Sequence, residues 1–170
     1  MVDWHSGGEL KKASGGERRV GLGGGISAPY PSPTSKAASK MGRGNRRVDT
    51  KPEVAVRSEL HRRGLRFRKD TSIRVGRLLV HPDVVFTRSR IAVFVDGCFW
   101  HGCPLHGTTP TSNVAYWVPK LAANKKRDRR VNEELTAHGW LVIRCWEHDG
   151  PEQVADRILH EDRKPVTRGA

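Results

Sequence analysis

The apolar positions of residues 48–161 form short runs and periodic stripes, which is the pattern of one compact domain. β-Rich runs that predict strands lie at residues 65–68, 78–80, 84–86, 91–95 and 141–146. The run at 91–95 has no polar interruption, which favours a central strand covered on both faces.

Two amphipathic segments flank these runs and predict helices. Thr50 and Glu53 have the spacing of a capping box, so we expect a helix from about Lys51 to Arg63 that Gly64 ends. A closing helix is predicted from Pro151 to about His160.

A longer helix is predicted by a stripe of residues spaced three and four apart. Pro119 belongs in a first turn, so this helix should begin near Trp117, and Gly139 should end it. The stripe consists of Trp117, Leu121, Asn124, Asp128, Val131 and Leu135. The order α, about four β, α, β, α predicts an α/β sandwich with a mixed sheet flanked by helices.

The ends of the chain differ from this domain in composition. The first 47 residues contain ten of the 18 glycines and few apolar residues, so residues 1–47 should form a disordered tail. We expect residues 162–170 to be a flexible C-terminus. Arg46 and Arg47 end the tail, either as an arm that orders on a phosphate backbone or as a solvated linker.

The charge balance indicates a polyanionic partner. The 170 residues include 31 Lys and Arg against 18 Asp and Glu, a net charge of +13, which favours nucleic acid. No apolar run is long enough for a membrane-spanning helix, so we expect no membrane association. Three cysteines without a secretory leader favour a reducing compartment over a disulfide scaffold.

Soft metal ligands are concentrated in one short segment. Cys98, Cys103 and His106 lie within nine residues, and a tetrahedral Zn²⁺ requires a fourth ligand. His148 follows the last predicted strand, whereas Cys145 lies within it and should point into the sheet. We therefore predict a structural zinc site completed by His148; Cys145 as the fourth ligand, or thiols without a metal, are the alternatives.

Carboxylates at strand ends predict a second kind of chemistry. Asp83 precedes one predicted strand and Asp96 ends the next, so a hairpin would bring both to one edge of the sheet. This resembles restriction-type nucleases, in which such acids hold Mg²⁺ against a scissile phosphate. Asp83 as a plain turn residue is the alternative. An imidazole can accept a proton at neutral pH, so His101 is a candidate general base, although it could also bind zinc.

Aromatic and basic residues surround this segment. Phe99 and Trp100 are adjacent in a glycine-flanked loop, where either a ligand or the protein core must cover them. The long helix is strongly basic, which suggests phosphate contacts, with a solvated surface as the alternative. Its candidate DNA-binding residues are Lys120, Asn124, Lys125, Lys126, Arg127, Arg129 and Arg130.

Several of these motifs together resemble one known family. The matching residues are the run 93–101, His81-Pro82-Asp83, Tyr116-Trp117, Lys120, Asn124, the run 127–130, Gly139-Trp140 and Trp146-Glu147-His148. They are similar to the very-short-patch-repair (Vsr-type) DNA mismatch endonucleases over roughly residues 39–159. The resemblance implies a restriction-endonuclease-like fold with a structural zinc, and Mg²⁺-dependent hydrolysis of one DNA strand beside a T:G mismatch.

The same resemblance implies roles for individual residues. Asp83 would bind Mg²⁺ together with the main-chain carbonyl of Val95. His101 would help to deprotonate the attacking water, and Glu53 would orient His101, although the capping box gives Glu53 a structural alternative.

Three further correspondences follow from the resemblance. Phe99, Trp100 and Trp117 would wedge into the base stack. The zinc positions would be filled by Cys98, Cys103, His106 and His148. Asp96 stands where the best-known type of member has a phosphate-contacting histidine, so it is expected to be a metal ligand or a supporting acid.

The expected partner is double-stranded DNA with a T:G mismatch, produced by deamination of 5-methylcytosine. This role implies a functional link to a cytosine-5 DNA methyltransferase, and a nucleoid-associated location in a bacterial cytoplasm. A monomer suits a single-strand nick. Alternatives are a related endonuclease triggered by modified or foreign DNA, and a non-catalytic zinc-stabilised DNA-binding module.

Overall fold

The computed structural model describes residues 48–163, which contain four helices and five strands. The strands are β1 (Ile73–Val75), β2 (Leu78–Val80), β3 (Val84–Phe86), β4 (Ile91–Asp96) and β5 (Leu141–Trp146). The helices are α1 (Lys51–Arg62), α2 (Cys98–His101), α3 (Val114–Ala137) and α4 (Pro151–Asp162). The predicted disordered tail, with Arg46 and Arg47, lies outside the described residues, as do residues 164–170 of the predicted C-terminus.

The main sheet is mixed, as predicted, with strand order β3-β4-β5. β3 and β4 form an antiparallel hairpin in which Val84 pairs with Val93. β4 and β5 are parallel, and Asp96 at the end of β4 is opposite Trp146. β4 is therefore the central strand that its uninterrupted apolar run predicts.

Alternating residues of the sheet bury two apolar faces. Val84, Phe86, Ile91 and Val93 contribute to a core that includes side chains from α1 and α4. The intervening Val85 and Ala92 face a second core, which α3 and the β1–β2 hairpin cover. The helices thus flank the sheet on both sides, and the α/β architecture predicted from the sequence is confirmed.

Helix α1 begins with the predicted capping box. Glu53 N–H lies 3.5 Å from Thr50 Oγ1, and Glu53 Oε2 accepts a hydrogen bond of 2.9 Å from Asp49 N–H. Together these contacts satisfy two backbone donors at the start of the helix. Gly64, at φ +77°, follows the end of α1, where a left-handed conformation favours glycine.

One predicted strand is absent, and one observed strand was not predicted. Residues 65–68 form no strand. Of these four residues only Arg68 pairs with the sheet, through a single bridge to Val85 of β3. β1 was not predicted, because a three-residue strand containing Arg74 carries too little periodicity to be recognised. It pairs with β2 through a turn in which Gly76 has φ +53°.

The long helix starts earlier than its proline predicts. α3 begins at Val114, so Pro119 is the sixth helical residue rather than a first-turn residue. Proline cannot donate a hydrogen bond to the carbonyl of Ala115, but Ala115 is exposed and water can satisfy that oxygen. The short helix α2 was also not predicted, since residues 97–101 read as a loop. Among residues 48–163, no helix combines the length and apolar character needed to cross a bilayer.

We predict that Leu135→Ala lowers the free energy of unfolding by about 2–5 kcal/mol, because Leu135 is fully buried against the second core. Leu79→Ala is the matched control, since Leu79 is 41% exposed. Urea denaturation followed by circular dichroism measures both. Equal effects of the two substitutions would show that α3 does not cover the sheet as described.

Candidate active site

The β3–β4 hairpin brings Asp83 to the carboxyl end of β4, as the strand-end pattern predicts. The backbone N–H of Asp83 donates to the carbonyl of Val93 at 2.9 Å. Its carboxylate oxygen Oδ2 accepts a 2.7 Å hydrogen bond from Val95 N–H. Asp83 is therefore a rigidly held acid at the sheet edge.

The surroundings of Asp83 disfavour its charge. Burial raises the pKa of Asp83 to about 6, and the nearby carboxylates of Glu53 and Asp96 act in the same direction. The hydrogen bond from Val95 and the charge of Arg57 oppose that rise in pKa. A partly buried carboxylate close to other acids is suited to a hard divalent cation, whose charge would offset the repulsion.

Asp96 is buried and paired with an arginine on the neighbouring strand. Both of its carboxylate oxygens accept hydrogen bonds of 2.6 Å from Arg144, one from Nε and one from Nη2. The parallel register of β4 and β5 places Phe94 opposite Arg144, whose guanidinium lies 4.9 Å from the Phe94 ring centroid. This geometry favours the predicted supporting role of Asp96 over the predicted metal-ligand role, because the arginine already engages both oxygens.

His101 forms a pair with a carboxylate of α3. His101 Nδ1 lies 2.6 Å from Asp128 Oδ2 and 3.5 Å from Asp96 Oδ1. Burial works against the charged form of Asp128, but the His101 hydrogen bond and the charge of Arg144 lower the pKa of Asp128 below its ordinary value. An ionised Asp128 fixes the His101 ring through Nδ1, which leaves Nε2 as the ring nitrogen able to exchange a proton with a substrate.

The predicted contact between Glu53 and His101 is not found among residues 48–163. Glu53 Oε1 instead accepts a 2.8 Å hydrogen bond from Thr50, and Glu53 Oε2 lies 3.5 Å from Arg57. The capping box holds Glu53 at the start of α1, where its charge acts on Asp83. In this structure the carboxylate that orients His101 belongs to Asp128.

Sequence reasoning overlooked Arg144 and gave Asp128 no catalytic role, placing it in the α3 stripe and in the run 127–130 that matches the family. Arg144 lies within an otherwise apolar run and carries no motif, so nothing in the sequence linked it to Asp96. Arg144 Nη2 is also 3.3 Å from Asp128 Oδ1. The polar members of the stripe at positions 124 and 128 were the available signal that one part of α3 faces a site.

The four predicted zinc positions come together in space. The ligand atoms of Cys98, Cys103, His106 and His148 all lie within 4.8 Å of one another. Cys98 Sγ is 3.1 Å from His148 Nδ1, which in turn is 3.2 Å from His106 Nδ1. Two thiols and two imidazoles at this separation form a donor set that fits tetrahedral Zn²⁺.

Cys145 lies outside this cluster. It is 2% exposed in the core, its Sγ lies 3.3 Å from the Phe94 carbonyl, and burial raises its pKa to about 12. Its sulfur lies against a strand carbonyl inside the sheet, apart from the four ligand atoms that lie within 4.8 Å of one another. His101 is likewise engaged elsewhere, with Asp128, so both sequence alternatives for the ligand set lose support.

Three aromatic rings cluster beside the metal-ligand segment. The ring centroids of Phe99, Trp100 and Trp117 are separated by 5.2, 5.5 and 5.7 Å in edge-on pairs, and all three side chains are partly buried. Asn124, predicted as a DNA contact, is 9% exposed and donates to the Trp100 carbonyl at 3.2 Å. Asn124 therefore holds the Trp100 backbone in place and is too buried to contact DNA.

The remaining predicted DNA contacts on α3 are on the surface. Lys120 is partly exposed, and the other five are exposed: Lys125, Lys126, Arg127, Arg129 and Arg130. A cleft of about 510 Å³ lies between this helix and the strand ends. Its walls include Asp96, His101, Lys125, Asp128, Arg129 and Arg144.

A mixed sheet that presents acids at its edge, with a histidine–carboxylate pair and a basic helix beside them, is typical of a phosphodiester-cleaving nuclease. The family described as DNA mismatch endonuclease Vsr matches residues 33–106. A type II nicking enzyme, V.NaeI from Lentzea aerocolonigenes, is 50% identical over 139 residues, which cover 79% of this chain and 84% of the relative. The chain belongs to the Vsr family of DNA endonucleases.

Two other relatives bear on its activity. The type II nicking enzyme V.XorIIP of Xanthomonas oryzae pv. oryzae is 45% identical over 104 residues, covering 60% of this chain and 73% of the relative. The DNA mismatch endonuclease Vsr of Escherichia coli is 36% identical over 117 residues, covering 66% and 72%. The predicted family and the predicted DNA endonuclease class are confirmed, so a non-catalytic binding module is not retained.

The unfavourable environment of Asp83 generates a stability prediction. In metal-free protein at pH 8, Asp83→Asn should raise the free energy of unfolding by on the order of 1–3 kcal/mol, because it removes a desolvated charge. The folded-state pKa of about 6 exceeds the ordinary 3.8, so the penalty on the charged form shrinks as pH falls through 6, and the gain should disappear only below pH 3.8, where the carboxyl is protonated in both states. Thermal unfolding across this pH range measures the difference.

Asp70→Asn is the control for this substitution. Asp70 has an exposed side chain and φ +53°, a conformation that asparagine also tolerates. The prediction would be contradicted by an Asp83→Asn variant that is no more stable than wild type at pH 8.

Proposed function

We propose that this enzyme nicks one strand of double-stranded DNA beside a T:G mismatch, by Mg²⁺-assisted hydrolysis, in the repair of deaminated 5-methylcytosine. The observation that carries the proposal is that Asp83, beside the end of β4, and the His101–Asp128 pair both neighbour Asp96: the charge of Asp96 acts on Asp83, and Asp96 Oδ1 lies 3.5 Å from His101 Nδ1. Membership of the Vsr family supports the mismatch as the trigger.

Residues of this chain provide a complete set of roles for hydrolysis. Asp83 and the main-chain carbonyl of Val95 would hold Mg²⁺, which when bound supplies Lewis-acid activation of the phosphate and of the attacking water. His101 accepts the proton of that water at Nε2. Asp128 holds the imidazole through Nδ1 and stabilises the imidazolium that results.

Arg144 and the acids around the His101–Asp128 pair have supporting roles in this proposal. Arg144 neutralises Asp96 and lies 3.3 Å from Asp128, so it offsets part of the negative charge that these two carboxylates would present to the phosphate. In this assignment Asp96 is a positioning acid, and Glu53 tunes Asp83 rather than His101.

The aromatic cluster and the basic helix would recognise the substrate. Phe99, Trp100 and Trp117 would wedge into the base stack, where a mismatch makes unstacking least costly. The exposed basic residues of α3 would contact phosphates, together with Arg46 and Arg47. A single catalytic site suits a monomer that cuts one strand.

We assign Zn²⁺ to Cys98, Cys103, His106 and His148 as a structural ion. Four protein ligands leave no open position for a substrate, and the ion would hold together α2, the loop that follows it and the end of β5. A location with the nucleoid in a bacterial cytoplasm, and a link to a cytosine-5 DNA methyltransferase, follow from the proposed substrate.

A second candidate is an endonuclease of the same family with another DNA trigger, such as modified or foreign DNA. It is favoured by one observation: several relatives, including V.NaeI, are named as nicking enzymes without mention of a mismatch. The two candidate functions use the same active site and differ only in the DNA feature that the enzyme recognises before it cleaves.

Strand-specific nicking distinguishes these candidates. With Mg²⁺, the enzyme should nick duplexes that contain one T:G mismatch in randomised flanking sequence, and should leave matched C:G and T:A duplexes intact. Sequencing of the products from both labelled strands gives the position of the nick and the flanking preference. Asp83→Asn should abolish nicking while DNA affinity stays near that of wild type, and Asp70→Asn should cleave normally.

The outcomes of this assay are separable. Nicking of matched and mismatched duplexes at equal rates would overturn the mismatch trigger and support the second candidate. Nicking that persists in Asp83→Asn would remove Asp83 from the site.

The zinc assignment is tested by a pair of substitutions. His148→Ala should reduce the zinc content and lower the unfolding temperature, because a structural site contributes folding free energy. Cys145→Ala should retain a full equivalent of zinc, measured by elemental analysis. Loss of zinc from Cys145→Ala with retention in His148→Ala would show that the fourth ligand is Cys145.

A further inference from the structure

The cleft beside His101 contains three cationic side chains, and they differ in how they are engaged. Arg144 makes two 2.6 Å hydrogen bonds to Asp96, lies 3.3 Å from Asp128 and donates to Asn132 at 3.1 Å. Its charge is balanced by carboxylates and its donors are occupied. Arg144 therefore organises the floor of the cleft and has little capacity left for a substrate phosphate.

Lys125 and Arg129 are the other two cations. They lie one turn apart on α3, on the face that also carries Ala122 and Asp128 toward the cleft. Within residues 48–163, neither side chain makes an ion pair or a hydrogen bond. These two cations are thus available to an anion that enters the cleft.

The end of the Lys125 side chain lies against Gly102, the residue that follows the reacting histidine. A Cβ atom added to Gly102 would overlap Cε and Nζ of Lys125, so the end of the lysine side chain lies directly over Gly102. Gly102 immediately follows His101 and ends α2 with φ +66°. The absence of a side chain at Gly102 therefore creates the space that Lys125 occupies next to His101.

The charge of the cleft requires such a cation. Asp96 and Asp128 line it, Asp83 lies at the neighbouring strand end, and Arg144 balances only part of this negative charge. A phosphodiester that approaches the site would meet net repulsion without further positive charge. Lys125 provides a compact, mobile ammonium at the place where the phosphate would come within reach of His101.

We propose that Lys125 contacts the scissile phosphate and stabilises the charge that develops on its oxygens during hydrolysis. The inference rests on the proposed function and extends it, because it separates one lysine of α3 from the general DNA-binding surface. Lys126 is its matched comparison: it is adjacent on the helix, exposed, and not part of the cleft wall.

The first test measures how tightly each variant binds DNA with a charged or a neutral group at the cleaved position. Wild type, Lys125→Met and Lys126→Met are titrated, without Mg²⁺, with a duplex that is nicked by wild type and with the same duplex carrying a neutral methylphosphonate at the cleaved position. Wild type should bind the native phosphate about 5–10-fold more tightly than the methylphosphonate. Lys125→Met should lose most of that preference, whereas Lys126→Met should bind both duplexes more weakly and keep the preference.

Single-turnover nicking with Mg²⁺ gives the second readout. Lys125→Met should slow cleavage of bound DNA by about 10²-fold, and Lys125→Arg should recover part of the rate, because it restores the charge. Arg88→Met removes a cation from the turn at the opposite end of β3 and should cleave at the wild-type rate. Circular dichroism confirms that each variant is folded.

Three results would overturn the inference. One is a Lys125→Met variant that keeps its preference for the charged phosphate. Another is a cleavage rate for Lys125→Met equal to that of Lys126→Met. The third is a wild-type enzyme that nicks no duplex, in which case the proposed function and the Lys125 role fail together. Wild-type nicking is therefore measured before any variant is compared.

Discussion

Strand β4 is the constraint on which the rest of the structure depends. It is hydrogen-bonded along both edges, and its side chains alternate between two apolar cores, so its position and register have little freedom. Its antiparallel partner brings Asp83 back to its carboxyl end, and its parallel partner delivers Arg144 to the same end. α2, which carries His101, begins two residues after β4 ends.

The site concentrates charge that the fold alone does not favour. Asp83 is desolvated near two other acids, and Asp96 is buried against Arg144. Buried ion pairs contribute little net stability because desolvation offsets their attraction, so such groups are better explained by chemistry than by folding. This arrangement accounts for the location of the site at the sheet end, where hydrogen-bonded strands hold the charges at fixed separation.

The segment that follows β4 requires support from outside itself. A helix of four residues is too short to be stable alone. Glu147 accepts a 2.6 Å hydrogen bond from Cys98 N–H at its start, Gly102 ends it, and the Cys and His cluster connects it to the end of β5. Asn124 anchors the Trp100 carbonyl from α3. These contacts give His101 and the aromatic rings a defined position.

Local patterns of the sequence determined the parts of the fold that depend on local burial. The apolar run of β4 and the stripe of α3 show which sides face the core, and the capping box of α1 marks where that helix begins. Three metal-ligand candidates follow from their close spacing at 98, 103 and 106, and His148 follows from its place after β5. Which side chains from different elements contact one another depends instead on strand register and on the rotation of α3 about its axis. For this reason only the tertiary structure revealed that Arg144 binds Asp96, that Asp128 rather than Glu53 orients His101, and that Lys125 lies over Gly102.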